Sequence, residues 1–137
     1  MKQENSIFLM LIIGLLFSCS SNDSNDPEIS ILEKNKLNII GTWAITSSVI
    51  ENGTGESELY ECDLTERLKF KSNNMLDISE YVETNCSEFN EYSISYSITE
   101  THLNYDIYSQ EIIELTTTKL KLIFIEDEIR YIETYKR

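Results

Sequence analysis

From Gly41 to the end of the chain, apolar residues recur at every second position and not at every third or fourth. A period of two puts alternate side chains on opposite faces of an extended backbone, as in strands with one buried face. In Tyr92-Ser93-Ile94-Ser95-Tyr96-Ser97-Ile98 the tyrosines and isoleucines share one face and the serines the other. Leu64, Glu66, Leu68 and Phe70 alternate with Arg67, Lys69 and Lys71, and Trp43, Ile45 and Val49 alternate with Thr42, Thr46 and Ser48. The same logic predicts strands over 75–83, 103–108, 112–116, 119–125 and 129–136. Turn-forming residues separate them: Asn52-Gly53 with Gly55, Ser72-Asn73-Asn74, Asn85, Ser109-Gln110, Thr117-Thr118 and Glu126-Asp127-Glu128.

Short connections between strands require antiparallel neighbours, since a parallel pair needs a crossover of a dozen residues or more. About eight such strands leave exposed edges unless the sheet closes or doubles. Closure gives an all-β, eight-stranded antiparallel up-and-down barrel, and doubling gives a β-sandwich as the alternative. The interior of an eight-stranded barrel either fills with its own side chains or holds one small ligand. Phe70, Tyr92, Tyr96, Tyr105 and Phe124 supply large rings that suit either outcome, as pocket walls with orienting hydroxyls or as filling.

Upstream of the strands the pattern changes. Residues 7–17 form a continuous apolar run behind Lys2 and end at Leu16-Phe17-Ser18-Cys19. A basic start, a short apolar core and a small residue before a cysteine define a lipoprotein signal peptide. The run is shorter than the roughly 20 residues a helix needs to cross a bilayer. Cleavage before Cys19 leaves a lipidated N-terminus, where palmitate-type acyl chains contribute about 0.8 kcal/mol per buried methylene. The division that follows is 1–18 signal peptide, 19–38 acidic Ser/Asn/Asp-rich tether and 39–137 folded domain, with one or two helical turns expected within 29–37.

The formal net charge of −13 survives cleavage, because Lys2 and Glu4 leave together. That sign, with no basic cluster, argues against nucleic acid and against lying flat on an anionic bilayer, so membrane attachment rests on the lipid. With Cys19 lipidated, Cys62 and Cys86 remain as an even pair; in an oxidising compartment they read as a disulfide, two free thiols being the alternative. No catalytic set, metal cluster or cofactor motif emerges. His102 stands alone in a predicted turn, the pairs Asp77/Glu80 and Glu88/Glu91 read as solvated carboxylates, and Glu126-Asp127-Glu128 lacks the ligand spacing of a calcium loop.

Ile39-Ile40-Gly41-Thr42-Trp43 at the start of the first strand, Cys62 before the strand bearing Leu68-Lys69-Phe70, Cys86 after the next strand, and the terminal Tyr131-Ile132-Glu133-Thr134-Tyr135-Lys136-Arg137 together resemble the lipocalin-like domain lipoproteins of Gram-negative bacteria. The resemblance covers roughly 39–137. It implies that Trp43 plugs one end of the barrel under a basic side chain, Arg130 or Arg137. It also implies outer-membrane residence, since Ser20 and not aspartate follows Cys19, with the domain on the periplasmic face or the cell surface. The expected function is non-enzymatic binding of a small hydrophobic or amphipathic molecule. The alternative is a structural or protein-interaction lipoprotein with a filled barrel.

Overall fold

In the computed structural model, which describes residues 28–55, 59–82 and 85–137, the polar approach to the domain ends at a helix cap. The Ser30 side chain accepts from the Glu33 amide at 3.2 Å, satisfying one of the donors that a helix start leaves free. Helix α1 (Ile31–Ile39) follows and buries Asn35 and Ile39. Asn35 Nδ2 donates to the carbonyls of Thr99 and Glu100, both at 3.0 Å, and Asn38 Nδ2 donates to that of Leu115 at 3.4 Å. The helix therefore docks on the barrel, and the packed unit takes in residues expected within the 19–38 tether. Cys19 and most of the tether lie outside the described residues.

Eight strands follow: β1 (Gly41–Ile50), β2 (Arg67–Phe70), β3 (Met75–Tyr81), β4 (Phe89–Ile98), β5 (His102–Tyr105), β6 (Tyr108–Leu115), β7 (Lys119–Glu126) and β8 (Ile129–Lys136). Each pairs antiparallel with the next, and β1 also pairs with β8, so the sheet closes into a barrel with no free edge. Closure excludes the sandwich. Ile39, Trp43, Phe70, Leu76, Leu103, Leu120 and Leu122 are its fully buried large side chains.

Two register shifts bend the sheet, one between Ile45 and Ser47 in β1 and one between Ile112 and Glu114 in β6. The first corrects the simple alternation. Beyond the bulge, Ser48 is buried opposite Glu133, while Val49 pairs with Ile132 on the outer face. A single inserted residue reverses which side chains face inward.

Turn placement differs in two more places. The hairpin between β5 and β6 turns at Asp106-Ile107, with Asp106 at a φ of +48°, and not at Ser109-Gln110. Asp tolerates the left-handed region well, and moving the turn draws Gln110 into β6, where it is buried. Leu64 belongs to a short 3₁₀ turn, Asp63–Thr65, and is exposed, so β2 begins only at Arg67. The Glu126-Asp127-Glu128 stretch closes the β7–β8 hairpin, with positive φ at Asp127 and Glu128.

Successive strands run between the same two ends. The helix end carries α1, the 71–74 and 99–101 turns and Arg137; the other end carries the described parts of the longer connections, 51–55 with 59–66 and Val82 with 85–88. A disulfide between Cys62 and Cys86, with Cα atoms 5.6 Å apart, joins those two connections.

Candidate ligand site at the barrel mouth

The helix end is sealed from the sequence upward. Alternation turns Trp43 inward at the start of β1, fully buried, and its indole Nε1 donates to the Ile39 carbonyl at 2.7 Å. The Arg137 guanidinium lies 4.6 Å from the ring centroid, and its Nη2 donates to the carbonyls of Asn38, at 2.5 Å, and Ile40. Gly41 makes that approach possible: a Cβ there would lie 3.1 Å from Arg137 Nε, and its φ of +138° is one that L residues rarely adopt. Arg137 is thus the cover over Trp43. Arg130 is not. Its position in β8 alternates with the inward Tyr131 and Glu133, and it pairs with Glu51 at 2.5 Å and Glu111 at 3.4 Å toward the other end.

Two of the five candidate ring residues belong to this sealed half. Phe70 and Tyr96 meet edge to face with centroids 5.0 Å apart, and the Tyr96 hydroxyl donates to the Lys71 carbonyl at 3.0 Å. Both are buried and neither lines the interior cavity, so they act as filling.

The other half is hollow. A cavity of about 270 Å³ opens at the end opposite α1. Tyr92, Tyr105 and Phe124 line it, so these three candidates converge. Tyr92 stands nearest solvent, 42% exposed. Rings continue around the wall from Tyr105 to Tyr108 to Phe124, with 5.8 Å between centroids at each step, and on to Tyr131 at 6.5 Å. Ile45, Leu68 and Ile78 form the apolar floor.

Alternation placed Glu66 with the apolar face of its strand, and the structure has it line the cavity; Glu80, read as a solvated carboxylate, lines it too. Glu133 joins them, together with Asp106 at the rim. Glu133 accepts from the Tyr135 hydroxyl at 2.8 Å and from Gln110 Nε2 at 3.4 Å, while Tyr105 donates to Gln110 Oε1 at 3.1 Å. Glu80 accepts from the Tyr92 hydroxyl at 2.9 Å and Glu66 from the Tyr81 amide at 3.2 Å. Burial pushes the Glu66 carboxyl up from 4.5 to about 7, and burial likewise raises Glu133. Burial first, and then the carboxylate it bonds, pushes the Tyr92 phenol up to about 12. Tyr105 and Tyr135 are raised well above the ordinary phenol range, again mainly by burial. These phenols are therefore neutral hydrogen-bond donors at any physiological pH.

Other charged candidates face outward. Asp77 bonds Lys71 at 2.7 Å and Ser93 at 2.6 Å, and those bonds hold its carboxyl below the usual range. It therefore stands on the opposite face of β3 from Glu80, and the two cannot act as an acid and base pair. Glu91 accepts from the Ser79 hydroxyl, and His102 opens β5 beside Thr101 Oγ1 at 2.9 Å. Among the described residues no three His, Cys, Asp or Glu groups converge to hold a metal ion, and no helix is long and apolar enough to cross a membrane.

A closed eight-stranded barrel, stoppered by a tryptophan, an arginine and a short helix and hollow at the far end, has the architecture of a lipocalin. The lipocalin-like domain family matches residues 39–122, more than half of the chain, and the chain belongs to that family. Its fold is similar to that of a lipocalin-like protein from Bacteroides uniformis, with a TM-score of 0.50 and 11% identity over 73% of this chain and 98% of that one. No curated protein matches the sequence.

Proposed function

We propose that the chain is a lipid-anchored outer-membrane lipoprotein whose barrel binds a small hydrophobic or amphipathic molecule at its mouth, without catalysis. The cavity carries the binding half of this reading. Half of the barrel is solid and half is hollow, and the hollow half combines an apolar floor with rings and hydroxyls. That mixture suits a ligand with an apolar body and a polar group. Its volume is just below the roughly 300–1,000 Å³ typical of ligand pockets, so the occupant is small. The family supports the same reading, being generally one of non-catalytic binding proteins. The solid half favours the rival reading, in which the barrel only presents its outer surface to an envelope partner.

Anchoring rests on the residues around Cys19. Metabolic labelling with a fatty-acid probe should label the wild-type protein and leave Cys19→Ala unlabelled and released from the membrane fraction. An unlabelled wild type, or a mature chain starting elsewhere, defeats that half of the proposal. Native mass spectrometry of the mature domain, purified from its membrane, tests the other half. A retained small molecule displaced on Tyr105→Trp substitution supports binding; a bare domain that takes up no fluorescent apolar probe favours the rival.

A further inference from the structure

We infer that the cavity selects a small organic cation, an aromatic or alkyl ammonium, drawn in by the combined negative field of the Glu66, Glu80 and Glu133 carboxylates and by the rings between them; this rests on the reading of the barrel as a ligand binder. The carboxylates are the reason. Three of them face one cavity, yet among the described residues none lies within 4.0 Å of a lysine or arginine nitrogen. Arg67 lines the same cavity, but its guanidinium is engaged by backbone, Nη1 donating to the Leu64 carbonyl at 3.0 Å and the Glu66 carbonyl at 2.6 Å, and it pairs with none of the three. What bonds the carboxylates is neutral: phenols, an amide side chain and a backbone amide.

Carboxylates drawn out of water without a cation are unfavourable, and folding does not retain such groups for stability. Neutral donors fix their orientation but leave their charge uncompensated. A cation entering the cavity supplies what is missing. The walls suit the same ligand, for the faces of Tyr105, Tyr108 and Phe124 attract cations by their negative quadrupoles. An anion would meet three carboxylates and Asp106 against the single, backbone-bonded Arg67, and would be repelled. A metal ion fits less well than an organic cation, because the carboxylates do not converge on one point.

Proton linkage gives a second readout. Burial pushes the Glu66 carboxyl up to about 7 and also raises that of Glu133, so Glu66 is partly protonated at neutral pH. A bound ammonium favours the ionised form and must release protons to solvent. Lowering pH protonates these groups, and cation affinity falls with it.

Three probes of nearly one shape separate the alternatives: 2-phenylethylammonium, 2-phenylethanol and 3-phenylpropionate, titrated calorimetrically into the mature domain at pH 8 and pH 5.5. The ammonium should bind at least about tenfold tighter than the alcohol at pH 8, a margin of one decade in Kd. That margin should shrink at pH 5.5, and binding heat should depend on the buffer's ionisation enthalpy. Glu133→Gln should erase the preference while keeping the shape of the site. Should that variant unfold, Glu66→Gln and Glu80→Gln at the more open end must reduce it. Equal binding of ammonium and alcohol, or tightest binding of the carboxylate, overturns the cation inference and leaves the ligand-binding reading intact. A preference that survives all three substitutions also overturns it. If no probe binds, the inference fails, and uptake of a fluorescent apolar dye then decides whether the ligand-binding reading fails with it.

Discussion

The two ends of this barrel are built from the same eight strands and solve opposite problems. At the helix end every inward position is apolar or satisfied locally: Trp43 bonds Ile39, Tyr96 bonds Lys71, and Phe70, Leu76 and Leu120 are fully buried. At the mouth Glu66, just before β2, and the inward Glu80 of β3 and Glu133 of β8 supply carboxylates, and rings surround about 270 Å³ of space. Dense packing at one end supports stability, and the loosely packed, acidic end is the one the proposed ligand site occupies. The disulfide lies on the mouth side, tying together the connections that carry Cys62 and Cys86.

Breaking the sealed end should have the largest effect. Trp43→Ala removes a fully buried ring and should lower unfolding free energy by about 3–5 kcal/mol in a urea titration. A residual binding site in the folded fraction should be unchanged. An unmoved unfolding midpoint would mean that the plug is not where the fold's stability resides.

Opening the disulfide acts on the other end. Reduction, or a Cys62→Ser/Cys86→Ser double variant, frees a loop of about 25 residues and should cost roughly 2–4 kcal/mol. Because the bridge frames the mouth, ligand affinity should fall with it, unlike in the tryptophan variant. Thiol titration of the oxidised, denatured mature protein should find no free thiol.

The two arginines sharpen the contrast at lower energy. Arg137→Ala should destabilise by about 1 kcal/mol, from the lost cation–π contact and the bonds to Asn38 and Ile40. Arg130→Ala, which breaks an outer ion pair near the mouth, should have a smaller effect that vanishes in high salt.

A last expected effect is a pH slope. Glu66 and Glu133 have raised carboxyl pKa values in the folded state, so the folded chain holds more protons than the unfolded chain between pH 4.5 and about 7. Their contribution to stability is present below the unfolded value and lost as pH rises through the folded one. Asp77 acts oppositely, its contribution being lost as pH falls through its lowered value. Denaturation midpoints should therefore decline from pH 5 to 8, and Glu66→Gln should flatten that decline. An unchanged slope in the variant would remove Glu66 from the account.

Much of this was legible in one dimension because the period of two is local. Alternation predicted the strands and put Tyr92, Tyr96, Leu68 and Phe70 on one face, where the structure has them. It missed Ser48 because a bulge is invisible to periodicity, and Gln110 because the left-handed turn fell on Asp106 instead of Ser109. Glu66 stood on the inward face of its own predicted strand, and Glu133 between Tyr131 and Tyr135. The signal was present for both, but alternation along single strands could not show that they meet in one cavity.

The chain itself determined that it would be all-β, antiparallel and stapled between Cys62 and Cys86, since strand period, loop length and cysteine number are properties of neighbours and counts. It also specified Trp43 as an inward ring. Only the tertiary structure decided that Arg137 and not Arg130 covers that ring, and that Phe70 and Tyr96 fill one end while Tyr105 and Phe124 line the other. It alone brought Glu66, Glu80 and Glu133 together. The reason is closure: pairing β1 with β8 sets how far along the barrel each inward residue sits, and that height depends on the register of every strand at once.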